Sequence, residues 1–320
     1  MMDRQAKIDI HHHVAPPEYR SALAARGVES VGGRPIPAWD LEETLAFMER
    51  QGIETAMLSV SAPGVFIGDL PLARELAHSC NEYLAGLVRE HPRRFGAFAV
   101  LPLPDVEAAL EETAYALDRL RLDGIALLSS VAGRYMGDPS YATLFEELDR
   151  REAVVFMHPH TPEEGEVPRT GLPPSLIEFV FETTRAVATL LFNGTLERCP
   201  RVRIILPHAG GTVPFIALRL TLGQFWPGLQ ENVPQGVLAY LQRLYYDTAL
   251  AAAPFALRSL QELVNDSHIL FGSDYPFAPE LAAAATVAGL NEYPGFDHSA
   301  REAVFHRNAR ELFPRLRTGA

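Results

Sequence analysis

Apolar residues along this chain fall into two alternating patterns: short near-continuous runs, and longer segments with helical spacing. Val154-Val155-Phe156-Met157 and Ile204-Ile205-Leu206 are runs of the first kind. Such runs fit parallel strands buried on both faces. Eight strands are predicted, over Lys7–His11, Thr55–Val60, Phe95–Leu101, Gly124–Ser129, Val154–His158, Arg203–Pro207, Leu244–Thr248 and His268–Gly272. Between them, Asp40-Leu41-Glu42-Glu43 reads as a helix start with an acid three residues after the cap. Leu41, Leu45 and Met48 then share a face, and Gly52 follows as a stop. Asp138-Pro139 sets proline in the first turn of a helix running to about Arg151, and Asp105 starts another that ends before Gly124. Helical spacing also covers Leu72–Arg89, Ile177–Glu197 and Pro254–Val264.

Strand–helix alternation repeated eight times predicts an α/β fold, a closed (β/α)8 TIM barrel, with residues 1–320 as one domain. An open doubly wound sheet has the same alternation. The closed form is preferred because ligand-type residues end strands 1, 5, 6 and 8, and only a ring gathers those ends at one mouth. Two connections exceed the minimum. Val14–Trp39 (residues 14–39) is an insertion after strand 1, and Thr161–Pro174 follows strand 5. Both sit where barrel enzymes carry specificity loops. The tail, Ala300 to Ala320, reads as a basic C-terminal helix that docks.

Composition narrows the partners. Of 320 residues, 48% are hydrophobic and 21% charged, with a formal net charge of −12. Nucleic acid is not expected, since phosphate recognition needs a basic surface. A substrate carboxylate would have to be met by a local arginine or a metal. Cys80 and Cys199 stand far apart and make no disulfide framework. No membrane span and no leader core in Met1–Lys7 are seen, so a cytoplasmic protein is expected.

The chemistry lies at strand ends. His11 and His13 alternate from the end of strand 1 and share a side, while His12 faces away. Imidazole pairs of this kind suit Zn²⁺ or a similar borderline ion. His158, ending strand 5, is a natural third ligand, and Asp274, ending strand 8, can complete the shell or move a proton. His208 ends strand 6 and is either a fourth ligand or an uncoordinated acid/base group. The following Gly210 and Gly211 would let substrate approach the backbone. His160, between prolines 159 and 162, is a candidate substrate contact.

Asp-x-His-x-His at 9–13, His-Pro at 158–159, Pro-His-x-Gly-Gly at 207–211 and Gly-Ser-Asp-Tyr-Pro-Phe at 272–277 together resemble the amidohydrolase-related, metal-dependent decarboxylases. These include aminocarboxymuconate-semialdehyde decarboxylase. The His-His-His start and Pro-Pro-Glu-Tyr at 16–19 look closer to the 6-methylsalicylate decarboxylase-like branch. The resemblance implies a distorted barrel around one divalent metal, usually zinc. His11, His13, His158 and Asp274 would be the ligands, and His208 an unligated acid/base group. Arg219 matches an arginine that reaches a neighbouring subunit's site, which implies a homodimer. The chain departs from the family in having His160 where relatives often place an aromatic residue. The family's second carboxylate-binding arginine has no clear counterpart, although Arg34 could serve. Leu127-Leu128-Ser129-Ser130 lacks the lysine that bridges two metals in hydrolytic relatives, so a mononuclear site is expected.

The expected reaction is non-oxidative decarboxylation of a small aromatic or unsaturated carboxylate. Asp274 or a metal-held water would supply the proton, with His208 assisting. Ala62, Pro63, Val65 and Phe66 would flank a flat ring. Two alternatives remain open at this point: hydrolysis of a lactone, ester or amide by the same centre, and a non-catalytic metal-stabilised binding protein.

Overall fold

The computed structural model describes residues 6–163, 165, 168 and 170–317. Eight parallel strands form one sheet in sequence order. They are β1 (Lys7–His13), β2 (Ile53–Ser59), β3 (Phe95–Val100), β4 (Gly124–Leu128), β5 (Val154–His158), β6 (Arg203–Leu206), β7 (Tyr245–Asp247) and β8 (Ile269–Leu270). The ring closes where Ile10 N donates to Phe271 O, His13 N to Tyr275 O and Asp274 N to His11 O, at 2.7–3.0 Å. This is a (β/α)8 barrel.

Local chemistry sets the helices as expected at several points. The Asp40 side chain accepts from Glu43 N, and Gly52 ends the Leu41–Gln51 helix in the left-handed region at φ 68°. Asp105 caps Val106–Ala114, which runs on as one π turn over Tyr115–Arg119. Other segments differ from expectation. The helix expected over Ile177–Glu197 starts at Pro174 and stops at Phe192, because Gly194 turns left-handed and a new turn begins at Thr195. After Asp138 the first turn is 3-10, and the α-helix covers Ala142–Arg150. The insertion at 14–39 is not bare loop. It holds the helix Pro17–Ala25 and a ribbon pairing Ser30–Val31 with Arg34–Pro35. Four positions of the Thr161–Pro174 connection (164, 166, 167 and 169) and the last three of the tail lie outside the described residues.

Two apolar layers surround the strands. The inner one takes residues from seven strands, including Ile8, Ile10, Met57, Phe98, Ala126, Phe156, Ile205 and Leu270. The outer one lies between strands and helices. The tail is several short pieces rather than one helix: His298–Glu302, a π turn at Ala303–Arg307, then Asn308–Leu312. Pro314 ends the last piece, since the residue before a proline is pushed out of the α region, and Phe313 has φ −115°. Leu312 and Phe313 then pack into the inner layer and close the N-terminal end of the barrel.

The pleat of β1 carries a consequence for chemistry. Ile8 and Ile10 point inward, and so do His11 and His13, although strict alternation forbids both. A register shift between Asp9 and His12 resolves the conflict by switching the inward parity.

Candidate metal centre

At the C-terminal ends of the strands, His11, His13, His158 and Asp274 offer four buried donor atoms within 4.8 Å of one another. His11 Nε2 lies 3.0 Å from His13 Nε2, and both lie near Asp274 Oδ1, at 3.2 and 3.1 Å. Adjacent donors on an ion with bonds of about 2.1 Å are separated by roughly this much. The outer ring nitrogens confirm the fit. His11 Nδ1 donates to Asp247 Oδ2 at 2.7 Å, His13 Nδ1 to Ser59 Oγ at 3.0 Å, and His158 Nδ1 to the Pro159 carbonyl at 2.8 Å. In the neutral ring each partner fixes the tautomer that leaves the Nε2 lone pair for an ion. The four residues form a single divalent metal site.

Two turns hold the acidic and basic groups in place. Asp274 and His208 are left-handed, at φ 62° and 53°. Such backbone needs support when the residue is not glycine. His208 N donates to Asp247 Oδ1 at 2.9 Å, and Asp274 N to His11 O. Gly272 is required by close approach. A Cβ there would meet His11 Cβ at 2.8 Å and Asp247 Cγ at 3.3 Å.

Electrostatics sort the groups. Burial disfavours a charged His11, but Asp247 and Asp274 outweigh it and lift the pKa to about 10. Burial pushes His13 down to about 4 and His158 well below its ordinary value. Burial would raise the Asp274 carboxyl, yet His11, His13 and His208 together hold it well below the carboxylate range. His208 is not part of the donor cluster. Its Nε2 stands 3.6 Å from Asp274 Oδ2, and its Nδ1 is buried without a partner among the described residues.

Asp247 is the residue sequence reasoning passed over. Fully buried, it accepts from His11 Nδ1, His208 N and Ala249 N. Its only signal was an acid near the end of a predicted apolar strand. His12 faces away as expected, bonded through Nδ1 to Asp9 at 2.9 Å.

A cleft of about 530 Å³ opens beside the donors, its walls including Arg34, His158, Phe179, His208, Phe255 and Phe277. Arg34 reaches it because Gly32 and Gly33, at φ 58° and 81°, make the tight ribbon turn. That ribbon leans on Phe179, which a Cβ at Gly32 would meet at 2.6 Å. Arg34 has no hydrogen bond or ion pair among the described residues. Phe66 and His160, expected as substrate contacts, do not line this cleft. They wall a separate cavity of about 160 Å³ with Leu128 and Val131. Pro159 redirects the chain, and His160 turns to the Ser129 hydroxyl and the Thr161 carbonyl. Arg219 is exposed on the helix Val213–Leu220, away from its own cleft. Gly211 lines the cleft, whereas Gly210 does not, and both are tightly packed. A Cβ would meet the Tyr246 ring at 2.6 Å or the Val180 carbonyl at 2.2 Å.

Among the described residues no helix is long and apolar enough to cross a membrane. The chain is 37% identical over 317 residues to the 6-methylsalicylic acid decarboxylase of Penicillium expansum, covering 98% of this chain and 97% of that protein. It is 28% identical to the 2-amino-3-carboxymuconate-6-semialdehyde decarboxylase of Dictyostelium discoideum, over 97% and 92% of the two chains. The solved structure of 2,6-dihydroxybenzoate decarboxylase from Rhizobium is similar at a TM-score of 0.81 and 26% identity, over 97% of this chain and 99% of that one. With the family model for amidohydrolase matching residues 8–315, this protein belongs to the amidohydrolase family.

Proposed function

We propose that this protein is a metal-dependent, non-oxidative decarboxylase of a small aromatic carboxylic acid. The observation that carries the proposal is the buried donor cluster of His11, His13, His158 and Asp274, with uncoordinated His208 beside it and an aromatic-lined cleft in front. Relatives that decarboxylate 6-methylsalicylic acid and dihydroxybenzoate support the reaction class. Three imidazoles and one carboxylate favour Zn²⁺. When bound, the ion supplies Lewis acidity to substrate oxygens.

The chain's own groups do the rest. Arg34 meets the substrate carboxylate at the mouth, and Phe179, Phe255 and Phe277 flank the ring. Asp274, held ionised, must first take up a proton before passing it to the ring carbon that loses carbon dioxide. His208, 3.6 Å away, exchanges that proton with Asp274. The balance is an aromatic carboxylate plus one proton giving the arene and carbon dioxide.

The proposal includes a homodimer. Arg219 shares its helix with Phe215 and Leu218, which are 86% and 77% exposed, and the exposed Phe225 and Trp226 follow shortly after in the chain. An apolar surface of this kind favours burial against a second copy, which would bring Arg219 to the neighbouring cleft. A cytoplasmic location accords with the two free, buried cysteines.

The test is turnover of ortho-hydroxybenzoates by the zinc-loaded enzyme in D₂O, with carbon dioxide collected. Deuterium on the product ring is expected. No carbon dioxide from any such acid, together with ¹⁸O from water entering a lactone, ester or amide product, would replace decarboxylation by hydrolysis.

A further inference from the structure

A second hollow lies behind His158, and no step above uses it. It measures about 30 Å³ and is walled mainly by Val65, Phe66, Leu101, Ala126, Leu128 and Phe156. Among the described residues only Ser59 and His158 bring polar side chains to it. Those groups are already engaged, Ser59 Oγ with His13 Nδ1 and the His12 carbonyl, and His158 Nδ1 with Pro159 O. A buried water needs about two to four polar partners, and the space exceeds the roughly 10–15 Å³ one water requires. The hollow is therefore suited to a small apolar guest and is too small for an aromatic ring. Outward, it shares Pro63, Phe66, Leu128 and Val131 with the 160 Å³ cavity, which reaches the exposed Ala132, Gly133 and Glu163.

We propose that this hollow receives carbon dioxide as the carbon–carbon bond breaks, and that the outer cavity leads it to solvent, apart from the aromatic product. The proposal rests on the decarboxylase assignment. Carbon dioxide leaves uncharged, linear and without a hydrogen-bond donor, so apolar walls beside a metal ligand accept it while excluding water. Phe66 and His160, which the cleft does not use, become wall residues of this route.

Xenon is the structural probe. Crystals of the zinc-loaded enzyme held under xenon should show the atom between Phe66, Leu101, Ala126 and Phe156, whereas an empty or water-filled hollow overturns the proposal. Ala126→Leu should abolish xenon binding. In the reverse carboxylation of the phenol it should raise the carbon dioxide concentration for half-saturation by about tenfold. The KM for the aromatic acid should stay within about twofold. Val131→Trp, in the wall between the two cavities, is read in parallel in case Ala126→Leu perturbs the barrel. It should slow carbon dioxide exchange while xenon still binds. Zinc content and thermal unfolding establish that each variant is folded. Folded variants with wild-type dependence on carbon dioxide overturn the proposal. So does a rise in acid KM alone, which would make the hollow a seat for a ring substituent. If the wild type converts no aromatic acid, the assigned function fails and this proposal with it. If it does and the variants are indifferent, only this proposal fails.

Discussion

The two ends of the barrel are built from the same eight strands and do opposite work. At the C-terminal end, imidazoles and carboxylates crowd within 4.8 Å and two left-handed residues are pinned in place. At the N-terminal end, Leu312 and Phe313 fill the opening. Arg315 there ties the tail to Asp123 at 2.9 and 3.0 Å. One end concentrates buried polar groups, most of them held by hydrogen bonds to one another; the other supplies ordinary apolar burial. Chemistry and stability are thus spatially separated, and substitutions at the two ends should read out differently.

The largest effect is expected at the donors. His11→Ala or His158→Ala should lose bound metal and lower turnover by roughly a thousandfold or more, measured by elemental analysis and carbon dioxide release. His208→Ala should keep its metal and lower kcat by about a hundredfold or more; loss of metal in this variant would make His208 a ligand and redraw the centre. Asp247→Asn should weaken metal binding by about ten- to a hundredfold, because His11 loses the carboxylate that orients it; competition with a chelator measures this. At the opposite end, Phe313→Ala should destabilise the protein by about 3 kcal/mol in denaturant unfolding, with kcat/KM unchanged. A fall in metal affinity in that variant would break the separation of the two ends.

The smallest effect sharpens the electrostatics of the mouth. His11 is held up to about 10, so the chelated protein carries its proton at neutral pH. Coordination requires the neutral ring, so zinc uptake at pH 7 should release about one proton, and affinity should rise with pH until about 10. A pH indicator in weakly buffered solution measures the release. No proton released would mean that Asp247 does not hold His11 charged.

Much of the fold was legible in local patterns. Runs such as Val154-Val155-Phe156-Met157 have no polar face, so they belong in a sheet covered on both sides, and Asp40 and Gly52 carry their cap chemistry within a few residues of themselves. The ends of the Pro174–Phe192 helix were less legible, because Gly194 breaks a segment whose spacing continues past it. In the site, His11, His13, His158 and Asp274 stood out because each closes an apolar run with a side chain of ligand chemistry.

What needed the closed ring was everything set by distance across it. Asp247 is an unremarkable acid in its strand until the barrel brings it 2.7 Å from a histidine 236 positions away. The inward turn of His11 after Ile10 depends on a register shift against β2, which a strand's own alternation does not encode. Arg34 enters the cleft because its ribbon rests on Phe179, whereas Phe66 and His160 fall behind the ligands into a different cavity. Periodicity and residue type are local properties that the chain carries residue by residue. Which side chains share a cavity depends on contacts between distant segments, and those exist only once the ring has closed.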